Sequence, residues 1–196
     1  MRYHNITKDD MLNGDGLRAV LWLSGCDHHC KGCQNPLTWD PEGGLLFDEK
    51  AKEELFDILK RPYISGITFT GGDPLHKGNV NEVGKLIDEI KRDLPDKTIW
   101  LYTGDTWEDI IDIPFIRKAD VVVDGEFIED LKDNLLQWKG SKNQRVIDVK
   151  KTFKRYEKEG ADLTNKNSLP EPVILYEDYE KDKNKVDYSF KVACSR

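Results

Sequence analysis

Four short apolar runs, each ending in a glycine-bearing loop, set the rhythm of the chain. Leu17 to Ser24 stops at Gly25, and Ile64 to Thr70 runs into Gly71-Gly72-Asp73-Pro74. Thr98 to Tyr102 leads to Thr103-Gly104-Asp105, and Asp120 to Val123 leads to Asp124-Gly125. Runs of this length bounded by turn residues predict strands, and the first, mostly apolar throughout, reads as a strand buried on both faces of a parallel sheet. Between the runs the period changes. Ala51, Leu55, Phe56, Ile58 and Leu59 recur at helical spacing between Asp48, a candidate N-cap, and Pro62. Val83, Leu86, Ile87 and Ile90 do the same within Val80 to Leu94, which Pro95 stops, and Trp107 to Ile111 has room only for a short helix before Pro114.

Strands alternating with helices predict an α/β fold with parallel strands and right-handed crossovers, in which functional loops gather at the strand C-termini. The four glycine-bearing loops are therefore expected to line one crevice. Ahead of the first run, Asn13-Gly14-Asp15-Gly16 is a tight-turn signal. Past Val149 the composition turns polar: Lys150 to Lys158 is a basic helical stretch, 160–172 reads as a loop or insertion, and Val173 to Tyr176 as a short last strand. From Glu177 the expectation is a weakly ordered tail. The chain thus divides into one domain over 1–150 and a C-terminal extension over 151–196.

Composition narrows the function classes. Of 196 residues, 38% are hydrophobic and 34% charged, enough for one well-buried core under a solvated surface. The net charge of −7 argues against a nucleic-acid partner, because phosphate backbones are held by clustered Lys and Arg. The charged N-terminus has no apolar h-region, and no apolar run approaches the roughly 20 residues that span a bilayer. No membrane association and a cytoplasmic location are expected.

Three of the four cysteines crowd one loop, Cys26-Asp27-His28-His29-Cys30-Lys31-Gly32-Cys33, directly after the first predicted strand; Cys194 stands alone near the C-terminus and reads as an incidental thiol. In a reducing compartment this C-x3-C-x2-C spacing points to metal chemistry, since three thiolates so close together can face one point. Two occupants remain open. One is a structural zinc ion in a Cys3His site completed by His28 or His29. The other is a [4Fe-4S] cluster, in which three thiolates leave one iron open to substrate or cofactor.

The cysteine loop after a first strand and Gly71-Gly72-Asp73-Pro74 after a second resemble the radical S-adenosylmethionine (SAM) superfamily. Asn13-Gly14-Asp15-Gly16, Ser24-Gly25-Cys26, Trp100 to Gly104, Val123 to Phe127 and Trp138 to Arg145 narrow the resemblance, over about residues 1–150, to the activating proteins of anaerobic (class III) ribonucleoside-triphosphate reductases. The resemblance implies a truncated open (β/α) barrel, one [4Fe-4S] cluster on Cys26, Cys30 and Cys33, and SAM bound at its open iron. It places Gly32, Cys33 and Gln34 beside the adenine and sulfonium, and Gly71, Gly72 and Asp73 at the methionyl end. Asp124 would meet the SAM ribose or the partner, or else only begin a turn. Lys139 to Arg145 reads as a basic loop that meets SAM, the partner or only solvent. The implied reaction is reductive cleavage of SAM to a radical that takes a hydrogen from a glycine of the reductase large subunit, with flavodoxin or a similar donor supplying the electron. Activation of another glycyl-radical enzyme, a small-molecule radical SAM reaction and a zinc-binding module without catalysis stand as alternatives.

Overall fold

A computed structural model describes residues 1–176; the expectations for the tail from Glu177 and for Cys194 lie outside the described residues. Among the described residues, seven strands form one open sheet: β1 (Arg2–Asp10), β2 (Arg18–Leu23), β3 (Leu45–Leu46), β4 (Gly66–Gly71), β5 (Thr98–Tyr102), β6 (Val121–Asp124) and β7 (Arg145–Asp148). Their order across the sheet is β3-β1-β2-β4-β5-β6-β7. Four helices accompany them: α1 (Glu49–Leu59), α2 (Val80–Asp93), the one-turn α3 (Trp107–Ile110) and α4 (Val149–Glu159). Asp48 caps α1 by accepting the Ala51 N–H at 2.9 Å, Asp148 caps α4 through the Lys151 N–H, and Gly160 ends α4 in the left-handed region.

The four predicted strands are β2, β4, β5 and β6, and these pair parallel. The sheet as a whole is mixed, which corrects the expectation of parallel strands throughout. β1 pairs antiparallel with β2 across the Asn13–Gly16 turn, β3 adds to β1, and β7 returns antiparallel to β6. A tight turn cannot join parallel neighbours, so the loop before β2 dictates its partner's direction. β1 escapes a hydrophobic reading because its sequence, Arg-Tyr-His-Asn-Ile-Thr-Lys-Asp-Asp, buries only Tyr3 and Ile6. The expected strand at 173–176 is reduced to a single bridge, Ile174 opposite Ile147, flanked by bonds from Asp148 N to Val173 O and from Leu175 N to Val146 O, both 2.8 Å.

The sheet's two faces differ. Ala19, Leu21, Leu23, Ile67, Phe69, Ile99, Leu101, Val122 and Ile147 point to one face, where all four helices pack on them through residues such as Leu55, Ile87, Ile110, Phe153 and Tyr156. Burial of each such side chain contributes about 1.5–3 kcal/mol. Their strand neighbours Arg18, Thr68, Thr70, Thr98, Trp100 and Tyr102 occupy the opposite face. There Trp100, Val121, Val123 and Val146 form a small second cluster with Tyr102, Trp138, Leu175 and Tyr176. Arg18, fully buried, donates to Thr68 Oγ1, Thr98 Oγ1 and the Ile67 and Asp15 carbonyls, and lies over the Trp100 ring. Burial lowers its pKa to about 10. Among the described residues, no helix is long and apolar enough to cross a membrane.

Candidate functional site

The cysteine loop leaves the C-terminal end of β2 as a closed excursion. Its start is stitched to its end by Gly25 N to Thr38 O (2.8 Å) and Cys26 N to Trp39 O (3.1 Å), and Cys33 N bonds Cys30 O at 3.1 Å. Asp73 N in turn donates to Gly25 O at 2.8 Å, and Asn79 Nδ2 reaches both Ser24 O and Asp73 O. The loops after β2 and β4 are thereby one hydrogen-bonded unit. They pass so closely that a Cβ on Gly72 would stand 2.4 Å from Gly25 O, so only glycine fits there.

Cys26, Cys30 and Cys33 are free thiols of intermediate burial, and all three line one cavity of about 300 Å³. Gln34, Gly71, Gly72, Asp73, Thr103 and Gly104 share its wall. The size lies at the small end of the range for small-molecule sites. Burial pushes the Cys26 thiol up to about 11, against the pull of the His28 and His29 backbone N–H groups. It raises Cys30 as well, against the Phe127 N–H. The Asn35 N–H donates to Cys33 Sγ at 3.3 Å. At Cys26 and Cys30 these backbone donors work against burial, and a bound cation would remove the penalty that burial puts on their thiolates. Three soft donors lining one cavity suit a group held by three sulfurs.

Not every residue expected at the site reaches the cavity. Gly32 does not line it: with φ 72°, it faces Glu129, and a Cβ there would meet Glu129 Oε1 at 2.7 Å. Asp124 is 1% exposed and lies outside the cavity wall, where it accepts the Trp107 N–H at the start of α3 (2.7 Å) and the Arg145 guanidinium (2.5–3.1 Å). Arg145, expected in a basic loop, opens β7 and is held by Asp124 and Glu108; Lys139 lines the cavity and donates to Gln144 O at 3.0 Å. Asp73 does line the cavity, but its carboxylate is already engaged. Oδ1 accepts the Leu75 N–H, and Oδ2 accepts Thr103 Oγ1 and Gly104 N and pairs with His28 Nε2, all at 2.8–2.9 Å. His28, Asp73 and Asp105 are near enough to surround a cation, yet the donors around Asp73 Oδ2 make the trio a hydrogen-bond network. The bond to Asp73 raises His28 to about 9 despite burial; burial, then the Asp73 charge, raises Asp105.

Four further wall residues, Tyr102, Phe127, Trp138 and Gln144, fall in the segments that narrowed the resemblance but had no individual role assigned there. Trp138 packs edge-on against Trp100 and donates from Nε1 to Asp15 Oδ1 at 3.1 Å, while Tyr176 bonds the other oxygen of Asp15. The signal for Tyr102 was the Thr98, Trp100, Tyr102 alternation, which marks a strand face that no helix covers.

A family model described as a 4Fe-4S single cluster domain matches residues 12–147. The chain is 42% identical over 146 residues to the anaerobic ribonucleoside-triphosphate reductase-activating protein of Enterobacteria phage T4, covering 74% of this chain and 93% of the relative. Proteins of the same name from Vibrio cholerae and Escherichia coli are 40% and 39% identical over 153 and 150 residues, each covering 74% of this chain and 97% of the relative.

Proposed function

The chain belongs to the family of anaerobic ribonucleoside-triphosphate reductase-activating proteins, and from that premise we propose that it is a radical SAM activase that generates a glycyl radical on the large subunit of such a reductase. The observation that carries the reading is the shared cavity, lined by the three thiols of the cysteine loop together with Gly71 and Gly72. In this reading the open sheet, helices on one face, is the truncated (β/α) barrel of the radical SAM type.

Cys26, Cys30 and Cys33 would hold a [4Fe-4S] cluster. With SAM bound, the group would supply one electron for reductive cleavage of SAM, the chemistry by which a radical would be passed on to a glycine of the reductase. The chain's own residues bind and orient. Gly71 and Gly72 let backbone N–H and C=O groups approach the methionyl end of SAM, with Asp73 beside them, and Gln34 flanks the adenine. Gly32 and Asp124 act one layer out, Gly32 by letting the cysteine loop pass Glu129 and Asp124 by anchoring α3 and β7 behind the cavity. Phe127 and Trp138 limit water at the cavity. A low-potential donor such as flavodoxin delivers the electron, and a reducing cytoplasm keeps the thiols free. The net charge of −7 disfavours nucleic acid as a partner.

The test is anaerobic reconstitution followed by mixing with reductant, SAM and the reductase. The expected result is iron and sulfide in cluster proportion and a glycyl-radical doublet by electron paramagnetic resonance. Zinc without iron would overturn the reading, and a doublet formed only with another glycyl-radical enzyme would reassign the partner.

A further inference from the structure

One side chain in the loop after β2 reaches the loops after β4, β5 and β6 at once. His28, in the loop after β2, has Nε2 2.9 Å from Asp73 Oδ2 in the loop after β4 and 3.7 Å from Asp105 Oδ1 in the loop after β5. Its Nδ1 lies 3.0 Å from Glu126 Oε1 in the loop after β6. Gly104 completes the enclosure, since a Cβ there would stand 2.5 Å from His28 Cδ2. The ring thus has a partner at each nitrogen and backbone against its edge, and its side chain is 18% exposed. Both nitrogens are committed to carboxylates, so the ring is not free to become a fourth metal ligand without giving up one of them.

Asp73 makes the arrangement directional. Its carboxylate is held by Leu75, Thr103 and Gly104 independently of His28, so it presents Oδ2 as a set point at the cavity that Gly71 and Gly72 also line. His28 lies between Cys26 and Cys30 in sequence and carries that set point into the cysteine loop. Resting on the activase reading above, we propose that His28 is a positioning residue that holds the cysteine loop in register with the glycine loop, so that the metal group on the three thiols faces the SAM held by Gly71 and Gly72. Glu126 fixes the ring from the opposite side, and Gly104 is glycine because the ring occupies the space a side chain would need.

Two substitutions acting on one contact test this. His28→Ala removes the ring, and Gly104→Ala pushes it aside. Each is expected to retain cluster iron and sulfide while weakening the SAM-induced change in the spectrum of the reduced cluster and raising the KM for SAM by ~10-fold or more, as loss of partners around a metal site typically does. In the His28→Ala background, Gly104→Ala should add less than about two-fold, because the clash has gone; independent effects would multiply. His28→Gln, which keeps a donor toward Asp73, should recover part of the loss. His28→Ala within two-fold of wild type, or full multiplication in the double variant, would overturn the proposal. Loss of the cluster from both the Ala and Gln variants would overturn it too, since His28 would then serve assembly. Wild-type protein that binds no cluster, or whose spectrum ignores SAM, would instead count against the activase reading.

Discussion

The two faces of the sheet are built from the same strands but obey different rules. On the helix-covered face, alternate residues such as Leu21, Phe69, Ile99 and Val122 meet apolar partners from four helices and leave no polar group to satisfy. On the opposite face, Arg18, Thr68, Thr98 and Asp15 form hydrogen bonds to one another and to main-chain carbonyls, and the cover is loop, chiefly Trp138 and Tyr176 over Trp100. A face buried by helices gains stability chiefly from area, with few polar pairs such as Trp107 Nε1 to Tyr156 Oη. A face buried by loops holds a cavity, and each polar group around it needs a named partner. The cavity opens on the second face, where Thr70 and Tyr102 line it.

The sharpest way to separate the faces is at the cysteines. Cys30→Ala should lower bound iron and radical yield by more than about 100-fold, since even residues around metal ligands cost 10–100-fold. Its metal-free thermal midpoint should match that of metal-free wild type. The converse is Phe69→Ala, expected to cost about 3–5 kcal/mol in urea unfolding. Thr70→Val, one residue on and facing the cavity, should cost under about 1 kcal/mol yet reduce radical yield. Equal stability losses at 69 and 70 would break the two-face description. Trp138→Ala removes part of the loop cover; loss of the Trp100 contact is worth about 1 kcal/mol, read by urea unfolding, and the KM for SAM should rise.

The smallest effect is expected at the rim of the helix face. Asp120 joins Lys91 of α2, Lys150 of α4 and the Ile99 N–H of β5. Burial works to raise its pKa, but these donors outweigh burial and hold it below the ordinary carboxylate value. A depressed folded pKa contributes stability above the unfolded value near 4 that is lost as pH falls through the folded value. Asp120→Asn should therefore be less stable at pH 7 by about 1–2 kcal/mol. The gap should close below pH 4 in urea titrations; a gap independent of pH would assign the loss to packing.

Much of this was legible along the chain. The runs ending at Ser24, Thr70, Tyr102 and Val123 are the parallel strands, and the glycine-bearing loops after them do meet at one edge, because side-chain period and turn residues are local properties. β1 and β7 were not legible: Arg2–Asp10 is polar, Arg145–Asp148 is short, and each pairs because a neighbouring edge needs hydrogen-bond partners. Arg18 was absorbed into an apolar run, since nothing next to it in sequence announces Thr68 and Thr98 as its acceptors.

The sequence by itself determined the chemistry: three thiols within eight residues at the end of a strand, and a Gly-Gly-Asp turn at the end of the next. These are facts of spacing, and spacing survives without a fold. Only the tertiary structure decided that Asp73 is an anchor ringed by donors, that Asp124 is spent on Arg145 and α3, and that His28 stands where the strand-end loops meet. Those roles depend on partners 17 to 98 residues away, and a hydrogen bond is assigned by distance in space.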